Sequence, residues 1–304
     1  MFCKYITYRD CDSRKLAAVK TAYINNIKPP NTVVLSTCHR IEFYSHDAFD
    51  LPEPPKDLTG FWNSLEGIED ILIRLATIAC GADSKILGEN FIAFQTVRPF
   101  LKTAVSNLPF ELIDKSFEIA QGVKQTYDFN SQFSYEDAAF QLLAVENIVR
   151  PKTLVIIGGG LLGQHLTKHN KATDYSSIII ITKQVKRCKF DLSESNNFKL
   201  IKVVTINDFV PPDAFDLFIV TNLEDSSYSG QLLTLIENRN HGSTVDFCAS
   251  PLLATNNQTA FNYYTMYDSE FLSLVTEANS KLIDIKPKLI ENIKFLISML
   301  LNNK

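Results

Sequence analysis

The sequence predicts an α/β chain in three successive parts: an α+β unit, a parallel-sheet α/β unit and a long C-terminal helix. Three observations carry that expectation. Strand-like runs, FCKYITY (2–8) and the β-branched stretch at 32–36, are mixed with helical patterns in the first part. After Lys152 the texture changes to continuous apolar strands separated by helical stretches, the pattern of a parallel sheet covered on both faces. Residues 268–301 then read as one helical run. The boundaries this sets are 1–134, 135–266 and 267–304.

Element by element, the first strand leads into an amphipathic helix over 14–27, and Pro29-Pro30 breaks the chain before the strand at 32–36. IEFYS (41–45) is the next strand, and Asp50 to Pro55 is a proline-rich loop. Gly67 to Ala104 keeps helical periodicity, interrupted at CGADSKILGEN (80–90), and further helices are expected over 109–127 and 135–149. In the second part TLVII, SSIIIIT (176–182), IKVVTI, AFDLFIVTN and STVDFCA supply the strands.

Composition narrows the function classes. A chain of 304 residues is more than one core usually organises, which favours two domains. The net charge of −4 gives no global basic field for nucleic acid, leaving only a local patch. Six scattered cysteines without a CxxC read as reduced thiols, neither a disulfide framework nor a zinc site. His165 and His169 lie one helical turn apart but without an HExxH, so no metal is expected. The N-terminus lacks the apolar core of a signal peptide, and no run of about 18 apolar residues exists. A cytosolic protein without a membrane span is the expectation.

Gly158, Gly160 and Gly163, with Gly159, Leu161 and Leu162 between them, form G-x-G-x-x-G between a strand and a helix. The first glycine allows a tight turn, the second a close approach of pyrophosphate, and the third close helix–strand packing. The helix start adds free N–H groups and positive partial charge. This context identifies a Rossmann-type unit. At the end of the next strand, where an acidic residue would hold a ribose hydroxyl, the chain has Lys183, then Lys186 and Arg187. Cations there suit a 2′-phosphate and favour NADPH. A Rossmann-like unit that binds no nucleotide is the alternative.

Two stretches of the first part hold reactive side chains. VVLSTCHRIEFYS (33–45) ends a strand at Ser-Thr-Cys-His-Arg, placing the Cys38 thiol beside His39 and Arg40. A nearby cation lowers a thiol pKa and yields a nucleophile, while an inert buried cysteine is the structural alternative. LATIACGADSKILGENFIAFQ (75–95) interrupts an apolar helix with Asp83-Ser84, Leu87-Gly88-Glu89 and Gln95, which a plain core helix has no reason to carry.

Together these stretches resemble the glutamyl-tRNA reductases. That family has Ser-Thr-Cys-Asn-Arg after a strand, then a helix reading roughly Ala-Ser-Gly-Leu-Asp-Ser-x-x-Leu-Gly-Glu-Pro-Gln-Ile-x-x-Gln, an NADPH domain and a long spinal helix. The resemblance runs over essentially the whole chain, including VDFCAS (245–250). It implies NADPH-dependent reduction of tRNA-bound glutamate to glutamate-1-semialdehyde, the first step of five-carbon tetrapyrrole synthesis. Cys38 would attack the aminoacyl ester to give a thioester. Thr37, His39 and Arg40 would help hold the glutamate, the guanidinium matching its carboxylate. Ser84, Glu89, Asn90, Phe91 and Gln95 fall on substrate-recognition positions, Glu89 as a partner for the α-ammonium. Implied partners are glutamyl-tRNA and glutamate-1-semialdehyde aminotransferase.

The chain departs from the family at four places. His39 stands for the usual Asn, and Asn90-Phe91 for Pro-Gln. Arg74 stands where the family has a histidine with an acid role. It keeps a catalytic position but can supply only electrostatic stabilisation, since arginine does not release its proton. The nucleotide turn reads GGGLLG, and the sequence ends at Lys304, from which a short form without the family's C-terminal dimerisation domain is expected. Phe271, Val275, Ala278, Leu282, Ile285 and Leu289 form a heptad seam on the last helix, with Pro287 expected to kink it. The seam suits either a homodimer or packing on the chain's own domains. Lys281, Lys286, Lys288 and Lys294 are candidates for tRNA contact or an ordinary solvated face. Two other readings remain: a non-catalytic or regulatory paralogue that keeps the fold, and an NADPH reductase of another substrate.

Overall fold

A computed structural model describes residues 1–26, 29, 31–37, 39–53, 60–102, 105, 107–144, 151–193, 200–221, 226–238, 242–248, 251–252 and 262–303. The chain forms two compact units, Met1–Phe133 together with Val275–Lys304, and Ser134–Leu274.

The first unit is built on an antiparallel sheet. Its strands are β1 (Phe2–Thr7), β2 (Thr32–Thr37), β3 (Arg40–Ser45) and β4 (Asn63–Glu66), in the order β2-β3-β1-β4. The register runs from Phe2 opposite Ser45 to Thr7 opposite Arg40. Alternation divides the side chains between two layers. Ile6, Ile41 and Phe43 pack with Leu16, Val19 and Tyr23 of α1 (Ser13–Asn26). Cys3, Val33, Leu35 and Tyr44 pack with Ile71, Leu72 and Leu75 of α2 (Ile68–Ala79). α3 (Phe91–Lys102) and α4 (Phe110–Thr126) complete that layer, with Phe100 and Phe117 in edge contact at 5.9 Å. β4 has no clear sequence signature, because only Leu65 of its four residues is apolar.

The second unit contains α5 (Tyr135–Leu143), β5 (Thr153–Ile157), α6 (Leu161–Lys168), β6 (Ser177–Ile181), α7 (Val185–Leu192), β7 (Ile201–Val204), β8 (Asp216–Ile219), α8 (Ser226–Asn238), β9 (Thr244–Asp246) and β10 (Tyr263–Thr265). Its six strands are parallel, in the order β10-β9-β8-β5-β6-β7. The expected Rossmann-like sheet is therefore present, with one further strand, β10, that the sequence analysis did not anticipate. The helix expected over 135–149 runs to Leu143, and 145–150 lie outside the described residues. Ser134 caps it by accepting from the Asp137 amide at 3.0 Å. Strand order reverses around β5, which has β6 on one side and β8 on the other, so the glycine turn after β5 lies at the topological switch point.

The single helix expected over 268–301 is two, α9 (Ser269–Ile283) and α10 (Lys286–Asn302), separated at Asp284-Ile285. Pro287 sits in the first turn of α10, where its missing N–H would have had no intrahelical partner. The segment expected as 267–304 is shared: residues through Leu274 belong to the second unit and those from Val275 to the first. The heptad seam is internal. Phe271 packs on Phe247 at 5.5 Å, while Leu282 and Leu289 enter the first unit's core with Ile293 and Ile297. Phe271, Val275, Leu282 and Leu289 are thus buried within their own chain, while Ala278 and Ile285 are half-buried. Among the described residues, no helix is long and apolar enough to cross a membrane.

Leu289→Ala should destabilise the first unit by roughly 2–5 kcal/mol, the usual cost of emptying a buried leucine site, read as a lower urea midpoint. An unchanged midpoint would show that α10 is not part of that core.

Candidate functional site

The candidate site grows from one buried carboxylate. Glu42 lies in mid-β3 on the face shared with Tyr44 and is fully buried. A carboxylate in an apolar layer must be paired or neutralised. Arg74 of α2 meets it in a fork, Nε to Oε2 at 2.9 Å and Nη2 to Oε1 at 2.8 Å. Arg40, two residues before Glu42 and so on the same face, donates from Nη1 to Oε1 at 3.3 Å, and the Tyr44 hydroxyl donates to Oε2. The Arg74 guanidinium also lies 3.4 Å from the Tyr5 ring centre. Burial acts to lower the Arg74 pKa, but Glu42, Tyr44 and Cys3 together outweigh it and hold the group above its ordinary value.

The network continues outward. Arg40 Nη1 reaches Asp83 Oδ2 at 3.0 Å, and its Nη2 donates to the Asp83 carbonyl. Arg9 reaches the other oxygen of Asp83 at 2.7 Å. Burial acts to raise the Asp83 pKa, yet Arg40 and Arg9 bring it below the ordinary value. Two residues singled out in the sequence have partners within the fold. Arg40, expected at the rim to meet a substrate carboxylate, is 1% exposed and committed to Glu42 and Asp83. Arg74, expected as an electrostatic catalytic group, has Glu42 as its partner. Each guanidinium answers a buried charge of the fold.

The 80–90 segment folds back on itself between two glycines. Gly81 (φ +82°) and Gly88 (φ +67°) are in the left-handed region, and the Gly88 amide donates to the Gly81 carbonyl at 3.1 Å. A Cβ at Gly88 would lie 2.5 Å from the Phe129 carbonyl oxygen. Asn279 of α9 clasps the same segment, accepting from the Leu87 amide at 2.8 Å and donating to the Lys85 carbonyl at 2.9 Å. Inside it, Ser84 is 6% exposed and its hydroxyl finds no hydrogen-bond partner among the described residues. Burial pushes the Glu89 carboxyl up to about 7, against the opposing pull of Lys124 and Arg40. Asn90, Phe91 and Gln95 are exposed, so the expected recognition set divides into an enclosed pair and an outer group.

Cys38 lies outside the described residues. On one side of it, the Thr37 carbonyl accepts from the Lys20 ammonium, and the Thr37 hydroxyl accepts from the His39 amide at 3.3 Å. On the other, the His39 ring meets Tyr8 edge-on at 5.4 Å. Burial, with the charges of Lys85, Lys20 and Arg40, lowers the His39 pKa to about 3. The imidazole is therefore neutral at neutral pH. A cleft of about 340 Å³ opens beside the network, with Tyr5, Leu65 and Ile73 among its apolar lining and Arg9, Arg74 and Asp83 among its charged lining.

The glycine turn of the second unit has the shape a dinucleotide needs. Gly158 has φ +119°, and a Cβ at Gly163 would lie 2.0 Å from the Gly158 carbonyl oxygen. Gly160 faces open space at the start of α6, where a phosphate could approach the backbone. Leu161 is exposed and Leu162 half-buried in the first turn. The Gln164 amide ties α6 to the turn through the Gly159 carbonyl at 3.0 Å and to α7 through Asp191 at 3.1 Å. Lys183, Lys186 and Arg187 are all exposed beyond β6. Residues and geometry of the turn fit a dinucleotide.

Two features escaped the sequence analysis. His165 and His169 each face a carboxylate of α5, Glu136 at 3.0 Å and Asp137 at 2.9 Å, and His169 stacks on Phe140 at 4.6 Å. Asp246, in the VDFCAS stretch, accepts from the amides of Cys248 and Leu252 and from the Tyr263 hydroxyl, closing the end of β9 onto β10. Burial raises its pKa against those bonds.

Fold and site together define an α/β chain whose second unit is Rossmann-like and whose first unit joins arginines and carboxylates in one buried network. Among known proteins, the chain is 26% identical over 266 residues to Protein nfe2 of Rhizobium meliloti, covering 86% of this chain and 85% of that protein. It is 24% identical over 188 residues to the glutamyl-tRNA reductase of Streptococcus sanguinis, covering 53% of this chain and 43% of that enzyme. Similarity to the glutamyl-tRNA reductase of Methanothermobacter marburgensis is 27% over 161 residues, 51% of this chain and 39% of that enzyme. These matches span less than half the length of either reductase. A solved glutamyl-tRNA reductase from Methanopyrus kandleri aligns with a TM-score of 0.47 at 16% identity, covering 99% of this chain and 80% of that one. No family model matches the chain.

Arg74→Met should cost about 3–5 kcal/mol, because it strips the forked partner from a buried carboxylate. A smaller loss in Arg74→Met combined with Glu42→Gln would show that the penalty is the orphaned charge.

Glu89 makes a separate, pH-linked prediction. A carboxyl raised in the folded state contributes stability that is fully present below its unfolded value of 4.5 and lost as pH rises through about 7. Denaturant melts of Glu89→Gln should lack roughly 1–2 kcal/mol of the native decline between pH 5 and pH 8. Identical pH profiles would refute the raised pKa.

Proposed function

We propose that the chain is an NADPH-dependent reductase of glutamyl-tRNA in which Cys38 forms the acyl intermediate. The observation that carries this reading is the enclosed segment holding Ser84 and Glu89: a buried hydroxyl unpartnered among the described residues and a carboxyl titrating near neutrality, in the register that resembles the reductases. Groups left in this condition are ready for a polar ligand.

In the proposed reaction the Cys38 thiolate attacks the ester carbonyl carbon. A C–S bond forms, and the C–O bond to the tRNA ribose breaks, its oxygen leaving with a proton. The charges of Lys20, Lys85 and Arg40 bear on the flanking residue His39. Glu89 is matched to the α-ammonium, and Ser84 offers a hydroxyl to the glutamyl group. Neutral His39 can give or take a hydrogen bond without adding charge. When bound, NADPH would supply the hydride that converts the thioester to the aldehyde and returns the thiolate. Gly158, Gly159, Gly160 and Gly163 would cradle its pyrophosphate with the start of α6, and Lys183, Lys186 and Arg187 its 2′-phosphate. The exposed Lys281, Lys288 and Lys294 are proposed contacts for tRNA phosphates. The aldehyde product would pass to an aminotransferase.

A second reading has its own support. Arg40 and Arg74 are already engaged by Glu42 and Asp83, and the match to nfe2 spans most of both chains. In that reading the fold is retained without this reaction, as a binding protein or an NADPH reductase of another acyl substrate.

Single-turnover incubation with radiolabelled glutamyl-tRNA separates the two. Semialdehyde with NADPH, and a glutamyl adduct without it that is lost in Cys38→Ser, is the expected outcome. A folded chain that binds NADPH but gives neither product would favour the second reading. Lys186→Glu with Arg187→Glu should weaken NADPH binding at least tenfold with little effect on NADH, measured by fluorescence titration. Equal losses for both cofactors would remove the 2′-phosphate assignment.

A further inference from the structure

Lys124 lies in the last turn of α4, where a cation suits the helix dipole. Its nitrogen is nevertheless engaged elsewhere. It donates to the Gly88 carbonyl at 2.9 Å, the Glu89 carbonyl at 3.3 Å and the Asn90 side-chain oxygen at 3.1 Å. An ammonium has three hydrogens, and these three acceptors belong to consecutive residues of one turn. The turn is also held from its far side. The Ser131 amide donates to the same Gly88 carbonyl at 3.1 Å, and the Phe129 carbonyl leaves no room for a side chain at position 88.

We propose that Lys124 is a positioning residue of the candidate site: it gathers the Gly88–Asn90 turn and thereby fixes where the Glu89 carboxyl is presented. The inference rests on the reductase reading for its consequence in turnover, but its structural content stands apart from it. The groups facing Lys124 are the Glu89 carboxyl and the Cys80 thiol, and those facing Glu89 are Lys124 and Arg40. Arg40 is tied to Glu42 and Asp83, which leaves Lys124 as the cation whose removal changes the field at Glu89 with least disturbance of the network. Burial lowers the Lys124 pKa, so its charge is held at a desolvation cost that a solvated lysine would not bear.

The test follows Glu89 directly by carbon NMR of carboxyl-labelled glutamate in the native chain, Lys124→Met and Lys124→Arg. Loss of the cation should raise the Glu89 midpoint by roughly half to one pH unit, and the arginine variant should restore most of it. A role confined to capping α4 would leave the midpoint where it is, and that result overturns the proposal. If Lys124→Met does not fold, Lys124→Gln carries the same measurement. In the reductase assay, KM for glutamyl-tRNA should rise roughly tenfold in Lys124→Met, more than kcat falls. A native chain with no reductase activity would refute the proposed function, while the Glu89 titration would still decide the role of Lys124.

Discussion

A carboxylate in the middle of a strand, facing an apolar layer, must be answered by charge, and much of the first unit is arranged around that requirement. Glu42 is answered by Arg74 from α2 and by Arg40 from its own strand. Arg40 then needs a second anion, which Asp83 provides, and Asp83 draws in Arg9. The sequence of charges Arg74, Glu42, Arg40, Asp83, Arg9 alternates in sign, so each group screens its neighbours in a medium where an isolated charge would be costly. The chain of pairs links β3, the helix behind it and the loop that holds the candidate site.

This arrangement sets what the site has left to work with. A guanidinium that satisfies a buried carboxylate cannot also be offered freely to a substrate. The Ser84 hydroxyl and the Glu89 carboxyl, both carried by the 80–90 segment, have no such commitment to a guanidinium. That segment is fastened by Arg40 at Asp83, by Asn279 at Lys85 and Leu87, and by Lys124 at its end. Side-chain bonds from three different elements therefore hold a stretch with no regular structure of its own, as is usual where a rigid scaffold carries a working loop.

Much of this was legible in the sequence because the relevant signals are local. Strands β1 to β3, the apolar parallel strands and the glycine turn all show in runs of a few residues. The Gly163 requirement, deduced from spacing, has a direct counterpart in the 2.0 Å approach to Gly158. The role of Glu42 was not legible, since its forked partner lies 32 residues away and its strand reads as IEFYS, an ordinary amphipathic alternation. For the same reason Arg40 looked like a rim residue beside a cysteine, although strand alternation places it on the same face as Glu42. The break between α9 and α10 was misread as a kink because Pro287 is equally compatible with a helix start.

The division of the chain has a consequence for how it acquires its structure. The core of the first unit needs Leu282, Leu289, Ile293 and Ile297, which follow the entire second unit in the sequence. During synthesis, residues 1–133 must therefore wait, incompletely packed, while the continuous 134–274 segment emerges and is free to fold on contacts of its own. The contacts that close the first unit are among the longest-range in the molecule, and long-range closure is slow. A pause or premature stop near the end of translation would thus leave the apolar face of α2 uncovered, although the missing residues come from the opposite end of the chain.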